Sequence, residues 1–317
     1  MNKVILSANS SWYLYNFRSS TITALLNKNY SVICLSPKDN YSIQLKKLGA
    51  EWIDIKIDAN GTNPFRDTLF LYQLFLKYLN IRPIAVFNFT IKNNIYGAIA
   101  GHLAGIKTFS NITGLGTVFI NKSFSSIIVK MLYKYSQSKP SKVFCQNEED
   151  LYLLKLNNLV PHEKLTLLPG SGVNTNRFVP NIDYLKGSHS KLRFLFAGRM
   201  LKDKGLLELV SAVKKINEFE IKCELWLAGF TESENMSAIK ISEINNWNKI
   251  PGVKWHGQTD KVEELLSQAD VAVLPSYREG MPRFLLEAGA MQIPSIATNV
   301  PGCRNIIENK FNGLLCE

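Results

Sequence analysis

Short apolar runs alternating with longer amphipathic stretches constrain this chain more than any other feature, because that order is what strand–helix–strand units of a parallel sheet produce. Residues 4–8 read as a buried strand. After a loop over 9–16, residues 17–26 carry helical spacing and 30–35 return as a β-branched strand. Strands are expected at 52–57, 84–88 and 143–146, and helices at 68–79, 93–104 and 148–156. Residues 174–190, with Pro180, Asp183 and Gly187, are polar and rich in breakers. A second alternation follows, with strands at 192–197, 223–228, 253–256, 271–274 and 295–298 and helices at 205–217, 262–268 and 283–291. The expected fold is α/β, two doubly wound parallel-sheet domains of Rossmann type, over 1–175 and 191–317 with a linker at 176–190.

Charge separates the two halves. Residues 1–180 hold 20 Lys and Arg against 9 Asp and Glu, whereas 181–317 hold 17 of each, so the net charge of +11 lies wholly in the first half. A basic half faces nucleic acid, an anionic membrane surface or an acidic substrate, and charge alone does not choose among them. No nucleic-acid-binding motif is present. No window approaches 18 apolar residues and the opening segment lacks signal-peptide architecture, so a cytoplasmic protein is expected. The five cysteines are scattered without a CxxC pair, as in reduced, buried thiols with no zinc site. His102, His162, His189 and His256 show no ligand spacing, and His102, on an expected helix, and His256, in an expected strand, read as structural.

Two segments carry chemistry. Gly198-Arg199 and Lys204-Gly205 leave an expected strand and enter an expected helix, at the carboxyl end of a parallel strand where such sheets bind ligands. Gly198 allows close backbone approach, Arg199 offers a planar fork of donors and Lys204 a compact charge, which together suit a pyrophosphate. In the second segment Glu279, Gly280, Met281 and Pro282 follow a strand, with proline placed for the first turn of the next helix and its amides open to a phosphate. Glu287 lies further along that helix, where its carboxylate can accept from a diol such as a ribose.

Glu279 and Glu287, with Gly280 and Pro282 between them and Leu274-Pro275-Ser276 before, resemble the glutamate pair of retaining glycosyltransferases of family 4. Gly198-Arg199 with Lys204-Gly205 is similar to that family's pyrophosphate clamp, and 172–178, 257–270, Pro301-Gly302 and 312–314 extend the likeness over nearly the whole chain. The resemblance implies a GT-B fold, two Rossmann-like domains facing across a cleft, with an acceptor-binding first domain and a nucleotide-sugar-binding second. It implies that Arg199 and Lys204 neutralise the diphosphate leaving group and Glu287 holds the ribose. Glu279, with the backbone of Gly280 and Met281, would hold the donor sugar and its phosphate. No Asp-x-Asp motif is present, so a metal-independent reaction is expected, and the resemblance implies front-face displacement with retention of configuration.

The first half resembles bacterial enzymes that add N-acetylated hexosamines or related hexoses to polyprenyl-linked glycans of O-antigen, capsule or protein-linked oligosaccharides. The motifs are Asn16-Phe17-Arg18, Thr90-Ile91-Lys92 and 112–116. Tyr13, Asn16, Arg18, Thr113 and Gly114 are the expected acceptor-binding residues. The aromatic run from Trp12 to Phe17 is either an acceptor platform or core packing, and residues 122–142 either an amphipathic helix on anionic lipid or a core helix with a lysine edge. The expected activity is a hexosyltransferase peripheral on the inner leaflet, using a nucleotide-diphospho-sugar, most simply a UDP-sugar. The chain ends at Glu317, before further helices usual in the resembled family, so an incomplete C-terminal domain is expected. An inactive nucleotide-sugar-binding remnant and a sugar-nucleotide epimerase are the alternatives.

Overall fold

The computed structural model describes residues 1–58, 61, 63–114, 124–183, 191–219, 223–231 and 237–317, without the side chains of 124–127. The chain divides into two compact units, Met1–Ser171 and Gly172–Glu317. In the first, β1 (Lys3–Ser7), α1 (Ser11–Asn27), β2 (Ser31–Ser36), α2 (Ser42–Lys47), β3 (Glu51–Asp54) and α3 (Pro64–Ile81) come first. They are followed by β4 (Ala85–Phe89), α4 (Ile91–Leu103), β5 (Thr108–Ile112), α5 (Phe124–Gln137), β6 (Lys142–Cys145), α6 (Glu148–Leu156) and β7 (Leu165–Leu167). The second unit runs β8 (Leu192–Ala197), α7 (Leu206–Glu218), β9 (Cys223–Ala228), α8 (Ile241–Trp247) and β10 (Val253–Trp255). It ends with α9 (Val262–Leu266), β11 (Val271–Leu274), α10 (Arg283–Ala290), β12 (Ser295–Thr298) and β13 (Gly313–Cys316).

Among the described residues these strands all pair in parallel, in the orders β3-β2-β1-β4-β5-β6-β7 and β10-β9-β8-β11-β12-β13. Both sheets are therefore doubly wound, and each reverses its order once, between β1 and β4 and between β8 and β11. Both faces of the central strands are covered, which is why they read as continuous apolar runs. Ile5 and Ile33 pack on Phe70, Leu74 and Tyr78, while Val4, Leu6, Val32 and Cys34 pack with Leu14 and Ile22 on the other face. The second sheet repeats the device, Phe196, Leu225 and Leu227 in one cluster and Leu195, Trp226 and Ala228 in the other. Phe178, from the polar segment before β8, is buried in the second of these clusters.

The first helix corrects the sequence expectation. It begins at Ser11 rather than Phe17: the Ser10 hydroxyl caps it by accepting from the Tyr13 amide at 3.1 Å, and Asp39 accepts from the Trp12 amide at 2.9 Å. Asp39 lies 27 residues on, so only the folded chain supplies that second anchor. The aromatic run is consequently helical, and the rings of Tyr13 and Phe17 stack at 5.0 Å. Four cysteines are buried as expected, but Cys316 is exposed on the edge strand β13. Residues 115–123, which include Leu115 and Gly116 of the glycine motif and Lys122, lie outside the described residues.

Candidate active site

The register pairs Phe194 with Val271 and Leu195 with Ala272, so β8 and β11 end level with one another on either side of the reversal. Loops leaving such a switch point diverge and open a ligand site between them. The loop after β8 carries Gly198, Arg199 and Lys204, and the loop after β11 carries Glu279, Gly280, Met281 and Pro282. The two segments singled out in the sequence, 75 residues apart at Lys204 and Glu279, thus meet at one place.

Close backbone packing fixes the loops. Gly205 has φ +67°, and a Cβ there would lie 2.1 Å from the Pro275 carbonyl oxygen. The Tyr277 amide donates to the Asp203 carbonyl at 3.0 Å, and its hydroxyl bonds Glu208 at 2.7 Å. Gly302, at φ +83°, lets its chain lie against the backbone of Glu279 and Gly280, where a Cβ would stand 2.6 Å from the Gly280 oxygen.

Within this frame Lys204 and Glu279 form an ion pair, with side chains only 18% and 12% exposed. Beside it lies the fully buried Cys303, whose thiol is pushed up to about 12 by burial and by the Glu279 charge. Such a thiol stays neutral, so it packs and does not act as a nucleophile. Arg199 is exposed at the end of β8. Glu287 sits elsewhere on α10, paired with Arg283 at 2.9 Å. Burial pushes its carboxyl above the usual range, while Arg283 and Arg177 act in the opposite direction. The two glutamates therefore have different cationic neighbours, Lys204 for one and Arg283 with Arg177 for the other. Pro282 is the N-cap residue rather than a member of the first turn, and α10 begins at Arg283. No side chain caps that start.

Sequence reasoning missed two contributors. Arg177 bonds the Asp260 carbonyl and Glu263, the latter at 2.7 Å, and so places its charge near Glu287. Nothing local marks it. Gly229 was detectable as a glycine directly after the apolar run of β9: its φ is +147°, and a Cβ would lie 1.7 Å from the Gly198 oxygen. It lets the end of β9 press against the clamp segment.

The expected acceptor residues lie in the first unit. Tyr13, Asn16 and Arg18 share α1. Arg18 is 5% exposed, donates to the Tyr13 hydroxyl at 3.1 Å and lies 4.3 Å over the Phe89 ring. Asn16 donates to the Trp12 carbonyl at 3.0 Å. Through Tyr13 the Trp12–Phe17 run packs on Phe89 at the end of β4, while Trp12, Tyr13, Tyr15 and Phe17 stay partly exposed. Thr113 and Gly114 follow β5, beside Thr90 and Asn94 at the start of α4.

Two Rossmann-like units, the second with a basic clamp and a loop glutamate at its switch point, define the class: a GT-B glycosyltransferase. Residues 191–317 match the family described as glycosyl transferases group 1, and this part of the protein is a domain of that family. Over 319 aligned residues the chain is 27% identical to the N,N'-diacetylbacillosaminyl-diphospho-undecaprenol alpha-1,3-N-acetylgalactosaminyltransferase of Campylobacter jejuni, covering 95% of this chain and 81% of that one. It is 26% identical to the UDP-Gal:alpha-D-GlcNAc-diphosphoundecaprenol alpha-1,3-galactosyltransferase of Escherichia coli, over 71% of this chain and 60% of the relative. Among solved structures, HepE of Anabaena in complex with UDP and glucose superposes over all of this chain and 86% of its own, at a TM-score of 0.80 and 14% identity, which shows a shared fold.

Proposed function

We propose that the protein transfers a hexose or N-acetylhexosamine, with retention of configuration, from a UDP-sugar to a saccharide carried on a polyprenyl diphosphate. The observation that supports this reading is the ion pair of Lys204 with Glu279 at the switch point of the group 1 domain, on the loop that also carries Arg199. Arg199 and Lys204 neutralise the departing diphosphate, Glu279 and the backbone of Gly280 and Met281 hold the sugar end, and Glu287 accepts from the ribose hydroxyls. As the anomeric carbon–oxygen bond breaks, the acceptor hydroxyl attacks the same face and its proton passes to a phosphate oxygen of the leaving UDP. The two fixed cations supply the electrostatic stabilisation, so the reaction needs no metal.

Both relatives named above carry acceptors in their names, diacetylbacillosaminyl- and GlcNAc-diphosphoundecaprenol, and both are N-acetylated sugars on a polyprenyl diphosphate. The relatives are transferases, which favours transfer over epimerisation. Titration calorimetry with UDP is expected to show saturable binding that survives EDTA and weakens about tenfold in Arg199→Ala, the loss of one charge-assisted contact. Unchanged UDP affinity in Arg199→Ala would remove the clamp from this place.

No helix among the described residues is long and apolar enough to cross a membrane. The lipid-linked acceptor is instead met at the surface. On α5, Tyr133 is buried while Ile128, Met131 and Tyr135 are 53%, 69% and 53% exposed. Lys130, Lys134 and Lys139 accompany them, the last 4.5 Å from the Tyr135 ring. The helix therefore packs by one face and offers basic and apolar groups on another, a pattern that suits anionic lipid. Co-sedimentation with phosphatidylglycerol vesicles is expected to fall severalfold in Met131→Glu, and equal sedimentation of both proteins would exclude α5 as the contact.

A further inference from the structure

Helix α3 is apolar on two opposite sides. Phe70, Leu74 and Tyr78 are buried against Ile5 and Ile33 of the first sheet. Phe65, Leu69, Tyr72, Leu76 and Leu79 lie on the other side and are 81%, 50%, 56%, 38% and 42% exposed. At roughly 100° per residue the two sets centre on opposite faces of the helix. A surface helix needs one apolar face, and a helix apolar on both is suited to being covered twice.

The outer set has a definite period. Its members are spaced four, three, four and three residues apart, the repeat of about 3.5 residues that keeps a seam facing a second helix. From Phe65 to Leu79 the seam runs about 21 Å at the helical rise.

The helix is fixed before any partner arrives. Asn63 caps its start, accepting from the Phe65 amide at 3.0 Å, and Pro64 opens the first turn. Asp67 accepts from Lys92 Nζ at 2.6 Å and from the Tyr96 hydroxyl at 2.9 Å, which ties α3 to α4. Lys92 of the Thr90-Ile91-Lys92 motif is therefore engaged in holding this helix.

Charge and area decide what covers the seam. The stripe itself is uncharged, Arg66 beside it is paired with Asp58 at 3.1 Å, and Lys77 is half-buried. Helix α5 differs, with Lys130, Lys134 and Lys139 beside its exposed apolar groups, so anionic lipid suits α5 and a protein surface suits α3. The exposed parts of the five side chains come to about 500 Å², at roughly 200 Å² for each whole side chain. That equals the largest apolar patch of an ordinary monomer, and such patches mark interfaces. Two of them pressed together remove about 1,000 Å² from water, the size at which specific pairing begins.

We propose that α3 pairs with α3 of a second copy of this chain, antiparallel about a twofold axis. Tyr72 is the midpoint of the seam and lies near the axis, and the Phe65 end of each helix meets the Leu79 end of the other. The helix dipoles then run in opposite senses, the favourable arrangement for neighbouring helices. Both copies use the same surface, so the assembly closes at two. The pairing rests on the surface of α3 alone and is independent of the chemistry at the switch point of the second unit.

Sedimentation velocity of the full chain at about 50 μM, where interfaces of this modest size associate, is expected to show a species of twice the 35.8 kDa chain mass. Tyr72→Glu and Leu69→Lys, both at exposed positions, are each expected to weaken the dimer about tenfold or more while circular dichroism stays unchanged. Should one of them fail to fold, the other carries the test. Cross-linking in a Cys316→Ser background, which removes the exposed thiol, reads the orientation. A short bismaleimide is expected to join two copies of Tyr72→Cys, and to join Phe65→Cys with Leu79→Cys but not Phe65→Cys with itself. A monomeric chain, a dimer untouched in the folded variants, or Phe65→Cys joined to itself overturns the proposal. So does a monomer whose binding to phosphatidylglycerol vesicles is lost in Tyr72→Glu, since α3 would then face lipid.

Discussion

Glu279→Ala is expected to lower sugar transfer by about a thousandfold, the loss typical of removing a group that acts on the transition state, while UDP still binds. The asymmetry follows from the ion pair. Glu279 neutralises Lys204 in a pocket where both side chains are largely shielded, so a diphosphate that takes Lys204 must share it with, or draw it from, that carboxylate. Removing Glu279 frees the lysine for UDP, and UDP affinity holds or rises. What the proposed function loses is the carboxylate assigned to the sugar hydroxyls. Glu279→Gln keeps the shape and hydrogen-bonding reach without the charge, so its rate should fall between the two. Initial rates with a UDP-sugar, read beside calorimetry with UDP alone, check this. A parallel loss of rate and UDP affinity would mean that Glu279 only positions Lys204.

The second large effect is structural. Gly229→Ala is expected to destabilise the second unit by about 3 kcal/mol or more, through a φ that ordinary residues avoid and a collision that backbone alone can relieve. A Cβ at Gly229 would stand 1.7 Å from the Gly198 oxygen. Neither partner moves freely, because the Gly198 amide donates to the Ala228 carbonyl at 2.9 Å and the Gly229 amide to the Gly257 carbonyl at 2.8 Å. Relief would push the Gly198-Arg199 segment away from the β8 end, so UDP binding should weaken even in the fraction that stays folded. Thermal unfolding and calorimetry together test the claim, and a variant with unchanged melting and UDP affinity would show that the strand ends separate easily. Gly289→Ala is the control, since nothing lies within 4 Å of a Cβ there.

Much of this protein is legible in its amino-acid sequence. The order of strands and helices, the doubly wound class and the clamp and glutamate segments all follow from local signals. Apolar runs mark strands covered on both faces, and glycines mark turns at strand ends. Elements with weak local signals escape. β5 does not read as a strand because Ser110 and Asn111 put polar side chains in its buried middle. β13 carries no clear pattern because its side chains are partly or fully exposed, and its identity rests on pairing with β12. The local pattern starts helix α1 too late because part of its anchorage comes from Asp39, on another segment.

The residue types of the candidate site belong to the same legible class, and their partners do not. Sequence alone determined that Arg199, Lys204 and Glu279 follow strand ends of a parallel sheet and that Glu287 lies on the helix after the second of them, since strand order and loop chemistry are local properties. Only the tertiary structure decided that Lys204 pairs with Glu279, that Glu287 answers to Arg283 and Arg177, and that the Phe65–Leu79 stripe of α3 faces outward. Each of those depends on which distant segments the sheet order brings side by side, and on how far burial strips water from them. A linear pattern records neither.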